Sequence, residues 1–319
     1  MFSGLLCFKK NPCSFLLFII CSLFATGSFA QKAEVKPKTD RELTRKIEQA
    51  IAGFGGDVGV YVHHIKKNRV VEIQADTVFP TASMVKIPIL CGLFDKLHSG
   101  QLAYDSVLIY RDSLRYDDGI VGSLRDSAKI PLSYVLMLME TISDNTGSLW
   151  MQALAGGGAT INNWLQKQGF VHTRVNSRTP GRADAQRTYG WGQTTPREMA
   201  ELMTLIRFGG AISPDVSERM YRLLGRQFWD GQALSQLPPE IKVAAKNGAV
   251  NRAKSEVVYV HAPHGDYVFC ITTKNQKDER WKADNEGYVL LRTLSAILWN
   301  HFEPRYAWKP LEGNEKWHY

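Results

Sequence analysis

Apolar residues recur along this chain in two rhythms, and the change from one to the other separates a helical middle from strand-rich ends. A helical spacing begins near Asp40 and runs to about Ala52, where Gly55-Gly56 stops it. Alternation then predicts strands over 58–63 and 69–74, joined by the polar turn Lys66-Lys67-Asn68. Beyond Pro80, the residues Ile87, Leu90, Leu93, Phe94 and Leu97 mark a buried helix reaching His98, with Pro88 favouring a kink near its start. The polar stretch 111–127, which holds Asp117 and Asp118, reads as surface turns.

Pro131 opens a helix with Val135, Leu136 and Met139 on its apolar side. Asp144 or Asn145 caps the next, from Gly147 to Ala155, and Gly156-Gly157-Gly158 ends it. A helix over 162–168 follows. Residues 172–195 then show no clean period, and a stretch of that length in a compact domain is more often functional than idle. Helices over 196–207 and 214–224 precede strands at about 241–246, 255–263 and 265–274, and Tyr288 to Phe302 is the closing helix. Strands at both ends around a helical middle predict one antiparallel sheet flanked by the terminal helices, plus an all-helical lobe, with a cleft between the two.

The amino terminus changes the picture of where this domain works. Lys9 and Lys10 precede an apolar run from Phe15 to Phe24 and then Ala25-Thr26-Gly27-Ser28-Phe29-Ala30, the pattern of a secretory signal cleaved after Ala30. The run is shorter than the roughly 20 residues a bilayer core requires, so no stable membrane anchor is expected. Residues 31–40 read as a flexible leader and 41–319 as one domain with two lobes. Export, to the periplasm or the outside, lowers the formal net charge from +8 to +6 by removing the two lysines. That surplus, without an aromatic-interleaved basic patch, indicates no nucleic-acid partner. Cys91 and Cys270 are the two cysteines left after cleavage. Export permits a disulfide, their apolar surroundings suit free buried thiols, and no metal-ligand spacing or cofactor motif accompanies them.

Within this frame one short segment carries chemistry. Ser83 and Lys86 lie three residues apart at the start of the apolar helix, so one face can hold an amine beside a hydroxyl. A neutral amine there can take the serine proton and free the oxygen to attack a carbonyl. Ser-x-x-Lys alone is common. Here Ser143-Asp144-Asn145 lies sixty residues on, and Lys246-Asn247-Gly248 a further 103.

These three motifs, in this order and spacing, with Phe79-Pro80 and Thr194-Thr195-Pro196, resemble the class A serine β-lactamases and the wider penicillin-recognising serine hydrolases and transpeptidases. The resemblance covers about residues 40 to 305 and implies the α/β two-lobe fold of that family, with the active site in the cleft. It implies that Ser83 is acylated and that Lys86 is a candidate acceptor of its proton. The backbone N–H groups of Ser83 and Ala249 would form an oxyanion hole. Ser143 would pass a proton to the leaving nitrogen beside Lys246, and Asn145 would donate its amide to the substrate carbonyl. Gly248 completes the substrate-binding strand.

Two departures stand out. Asn247 replaces the family's hydroxyl residue in the third motif; an amide can still bond a substrate carboxylate but is longer and shifts it. In the loop before Thr194, the family's spacing puts Thr179 where class A enzymes carry a water-activating glutamate and Ala183 where they carry an asparagine, and 169–194 contains no glutamate. Asp184 is the loop's only carboxylate, either a partial substitute or a solvated side chain. Tyr189 and Trp191 are further loop candidates, and Arg174, Arg178, Arg182 and Arg187 are solvated, paired, or meet an anionic ligand. The expectation is an exported monomeric hydrolase that opens a β-lactam or related amide through acyl-Ser83, with deacylation slow or unconventional. A D-alanyl peptidase, transpeptidase or esterase acting on D-Ala-D-Ala-like or small acyl substrates is one alternative. A protein that traps β-lactams is another.

Overall fold

The computed structural model describes residue 1, residues 36–306 and residues 308–314; apart from Met1, the expected export signal lies outside them. Residues 1–36 cluster separately, and everything below concerns the unit from Pro37 onward. In chain order its elements are β1 (Lys38–Thr39), α1 (Arg41–Ile51), β2 (Asp57–His64), β3 (Arg69–Ile73), β4 (Phe79–Pro80), α2 (Lys86–His98), β5 (Val107–Ile109) and β6 (Lys129–Pro131). There follow α3 (Leu132–Thr141), α4 (Asn145–Leu154), α5 (Gly157–Lys167), β7 (Arg174–Val175), α6 (Ala183–Tyr189) and β8 (Gly192–Thr194). The chain continues with α7 (Pro196–Arg207), α8 (Pro214–Leu224), β9 (Val243–Val250), β10 (Ala253–Val260), β11 (Tyr267–Lys274) and α9 (Glu286–Phe302).

The main sheet runs β1-β3-β2-β11-β10-β9, antiparallel except where β1 lies parallel to β3. Period-two alternation buries both faces. Val58, Val60 and Val62 of β2 and Phe269 and Ile271 of β11 join α1 and α9 in one core, while Tyr61, Val257, Tyr259 and Cys270 face the other way into the helical lobe. On the first side Leu43 and Ile47, one helical turn apart, seat α1, and Asp40 caps it by accepting from the Leu43 N–H at 3.2 Å. On the other, α2 is buried nearly all round, as a central helix must be. Pro88 sits in its first turn, where a missing N–H costs nothing, and the helix runs on unbroken.

Four expectations change. Lys38 and Thr39, read as leader, are ordered as β1 by pairing with Arg69 and Val70. The helix expected at 162–168 begins at Gly157, because the break is confined to a turn at Ala155-Gly156, with Gly156 at φ +92°. The strand expected to end at 246 continues to Val250, so Lys246 lies mid-strand opposite Val257. Residues 172–195 are ordered as β7, α6 and β8, and β8 bonds to β4 through Phe79 and Thr194. That second small sheet, β4-β8-β7, ties the loop to the segment leading into Ser83.

Candidate active site

Ser83 lies in a single 3-10 turn, Ala82–Val85, between β4 and α2. Ala82 is held at φ +44° and Ser143 at φ +64°, a left-handed backbone that costs a non-glycine residue about 1–3 kcal/mol and persists only where the surroundings over-determine it. Those surroundings are visible. The Thr81 carbonyl accepts from the Met84 N–H at 3.0 Å and from Ser255 Oγ at 3.3 Å, and the Thr81 N–H donates to Gly192 O at 3.0 Å. Strand β9 presses on the same turn. A Cβ on Gly248 would stand 2.5 Å from Thr81 O and 2.9 Å from the Ser83 nitrogen, so only glycine lets the strand approach this closely.

Lys86 is fully buried, and its Nζ reaches Ser83 Oγ at 2.9 Å, Ser143 O at 2.9 Å, Ser143 Oγ at 2.9 Å and Asn145 Oδ1 at 3.0 Å. Four acceptors exceed the three protons of an ammonium, and a neutral amine has a lone pair to offer in return. Burial, reinforced by the charge of Lys246, holds the Lys86 amine well below its usual range, against the opposing pull of Glu140, Asp144 and Asp117. Lys246, also fully buried, places Nζ 3.2 Å from Ser143 Oγ; burial lowers its pKa to about 8, opposed by Glu140 and Glu256. Ser143 Oγ therefore sits between two amines, arranged to relay a proton.

The structure thus brings Ser83, Lys86, Ser143, Asn145 and Lys246 together as the motif spacing implied. Asn247 Oδ1 lies 3.3 Å from Lys246 Nζ, and Gly248 and Ala249 line the cleft beside Ser83. Asn145 differs from expectation in one respect: its Nδ2 already donates to Asp117 Oδ2 at 2.7 Å. Asp117, read from sequence as part of a surface turn, is a component of the site. Its close packing on Gly122, where a Cβ would fall 1.9 Å from Asp117 O, is a constraint no local pattern announces.

Glu140 was missed too. It sits on the last turn of α3, fully buried, with both carboxyl oxygens lacking a hydrogen-bond partner among the described residues. Burial pushes its pKa up to about 7, opposed by Lys246 and Lys86.

The loop candidates separate. Thr179 is buried against α5: its Oγ1 donates to Ser177 O at 3.0 Å, a Cβ on Gly158 would collide with it, and it lines neither half of the cleft. Asp184 points to solvent, its side chain 91% exposed and paired with Arg187, so it is no stand-in for the glutamate. Tyr189 and Trp191 do line the cleft, and the Trp191 ring meets Tyr116 edge-on at 4.8 Å. Of the arginines, Arg174 donates to Phe170 O and Thr173 O, and Arg182 to Asn176 and Gln193, so both stabilise the loop. Arg178 is exposed, and Arg187 lines the cleft. The loop's root hangs on Glu198, whose buried carboxylate accepts the N–H groups of Val171, His172 and Thr173 and the Thr173 hydroxyl. The Thr195-x-x-Glu198 capping pattern was the available signal for that residue; Thr195 does cap α7, but the glutamate turns to the loop.

Comparison with known proteins identifies the family and the fold that hold this site. Residues 42–302 match the model of the beta-lactamase enzyme family. The chain is 20% identical to beta-lactamase VEB-1 of Pseudomonas aeruginosa, over 90% of its own length and 97% of that protein's. Among solved structures it is 25% identical to PBP-A, covering 84% of this chain and 98% of that one at a TM-score of 0.75. A point mutant of PBP-A has been seen as an acyl-enzyme complex with penicillin G. A class A beta-lactamase from Mycobacterium abscessus superposes at a TM-score of 0.71 with 18% identity, over 82% of this chain and 99% of that one. With the family model covering most of the chain and the two-lobe fold shared throughout, this protein belongs to the beta-lactamase enzyme family, with the fold of the class A serine β-lactamases.

Proposed function

We propose that this protein is a serine hydrolase that opens a β-lactam or related amide by acylating Ser83, and that it releases the acyl group slowly. The observation that carries the reading is the placement of the buried Lys86 amine, its pKa lowered by burial, 2.9 Å from both Ser83 Oγ and Ser143 Oγ. Ser83 Oγ forms a bond to the carbonyl carbon as its proton passes to Lys86, and the C–N bond breaks as the nitrogen takes a proton from Ser143, replenished through the two lysines. The N–H groups of Ser83 and Ala249 stabilise the oxyanion between these events. The similarity to PBP-A, which forms a penicillin acyl-enzyme in a mutant, supports the same chemistry.

Slow release follows from the walls. Among the described residues lining either half of the cleft there is no carboxylate to activate water, and a missing general base typically removes a factor of about 10²–10⁴ from its step. The same lack favours a second reading, a D-alanyl peptidase or transpeptidase in which an amine acceptor competes with water. Export through residues 1–30 is part of this proposal.

Mixing the protein with a chromogenic cephalosporin while following product and intact mass tests it. The expected result is about one equivalent of product released rapidly with an adduct on Ser83 that persists, and none in Ser83→Ala. Labelling undiminished in that variant excludes the mechanism, and sustained turnover without an adduct excludes slow release.

A further inference from the structure

Lys86 can act as a base only when its lone pair faces a hydroxyl, and the hydrogen bonds around it decide where that lone pair points. A neutral amine carries two protons and one lone pair. Two of the groups around Lys86 Nζ, the Ser143 carbonyl at 2.9 Å and Asn145 Oδ1 at 3.0 Å, are carbonyl oxygens that only accept. They take both protons. The lone pair is then left for the two groups that can donate, Ser83 Oγ and Ser143 Oγ, each at 2.9 Å.

The Ser143 carbonyl is backbone and always accepts, but the Asn145 side chain has two ends. Turned by half a rotation, its amide would offer Nδ2 to Lys86, and the amine would have to receive that proton through its lone pair. The base would then point away from Ser83. Asp117 sets the amide. Its Oδ2 lies 2.7 Å from Asn145 Nδ2, and a carboxylate accepts without donating, so the amide nitrogen faces Asp117 and Oδ1 faces Lys86. Asp117 is itself fixed. Its Oδ1 accepts from the Gly119 N–H at 3.2 Å, and its carbonyl is pressed onto Gly122, where a Cβ would stand 1.9 Å from it. The Tyr116 N–H donates to Thr146 Oγ1 at 3.1 Å and the Val121 N–H to Asp144 Oδ2 at 3.0 Å, so both sides of Asp117 are tied to the start of α4, where Asn145 lies.

Resting on the acyl-Ser83 reading, we infer that Asp117 is a positioning residue: by holding the Asn145 amide in one orientation, it aims the Lys86 lone pair at the serine hydroxyls. It touches no reacting atom itself. Aim and charge leave different signatures. Burial and then the charge of Lys246 lower the Lys86 pKa, while Glu140, Asp144 and Asp117 oppose them. If charge were the whole effect, Asp117→Asn would make neutral Lys86 available at lower pH and the maximal acylation rate would not fall. Loss of aim lowers that maximum, because part of the population has its lone pair engaged by Asn145.

The test follows acylation of Ser83 across a pH series, read as product release and protein mass. The reagents are para-nitrophenyl acetate, whose acyl group has no amide for Asn145 to recognise, and the chromogenic cephalosporin. In Asp117→Asn, which keeps the size of the side chain, the maximal rate is expected to fall about 10–100-fold, the range of one hydrogen bond to a charged group, with the melting temperature little changed. Combining Asp117→Asn with Asn145→Asp keeps that hydrogen bond with its direction reversed, and the carboxylate then at position 145 can only accept from Lys86. With the ester this exchange should recover most of the lost rate, its ascending limb moved to higher pH by the charge beside Lys86. An undiminished maximum in Asp117→Asn, or a loss the exchange does not repair, overturns the inference, while continued labelling of Ser83 leaves the hydrolase reading standing. If neither reagent labels Ser83 in the unaltered protein, both fail.

Discussion

Lys86 and Lys246 share one buried space, and each shapes the other's protonation. Burial and the charge on Lys246 both lower the Lys86 pKa, so its neutral, proton-accepting form is present at lower pH than for an ordinary lysine. Lys246, with a pKa of about 8, loses its own proton around that pH. The acylation rate should rise with pH as Lys86 deprotonates and fall above about pH 8 as the positive potential beside Ser143 disappears, giving a bell. In Lys246→Met the depressing charge is gone, the Lys86 pKa rises, and the ascending limb should shift to higher pH. A pH profile of the second-order acylation rate checks this, and an unmoved ascending limb would exclude the coupling. At this scale the sequence revealed the identities and spacing of Ser83, Lys86, Ser143 and Lys246. It could not reveal Asp117 or Glu140, which join the site through contacts and burial that only folding creates.

Between elements, the decisive contact is that of β9 with the serine turn. Gly248 lets the strand bring Ala249 alongside Ser83, and two of the three atoms a side chain would strike, Thr81 O and the Ser83 nitrogen, are backbone atoms that cannot rotate away. Gly248→Val should therefore push the strand off the turn. Misplacement of about 1 Å is enough to cost roughly 10²-fold in rate, so acylation should fall by at least that while the melting temperature changes far less. Stopped-flow acylation and a thermal melt on the same variant distinguish a displaced oxyanion hole from a lost fold. Most helices were legible because their caps and apolar spacing are local: Asp40, Asp144 and Thr195 each accept from a backbone N–H at the expected helix start. The loop 172–195 was not. Its order depends on pairing between β4 and β8 and on Glu198 gathering three N–H groups from a distant segment.

At the scale of the whole domain, the main sheet with both faces covered puts Cys91 and Cys270 in the same core on the helical side, both free and fully buried, with burial pushing both thiols far up. Neither should react with a maleimide in the native protein, and both should label after denaturation, as peptide mass mapping would show; native labelling of either would contradict this packing. Free thiols settle the question that export alone left open. The motifs and periodicities sufficed for the fold class and for the grouping of Ser83 with Lys86, Ser143 and Lys246, because both depend on residues close in sequence or on a spacing the fold preserves. Only the tertiary structure decided that Asp184 faces solvent, that Thr179 is buried against α5, and that Tyr189, Trp191 and Arg187 line the cleft beside Ser83. The direction of a side chain in an irregular loop is set by what packs beneath it, and those partners lie far away in the chain.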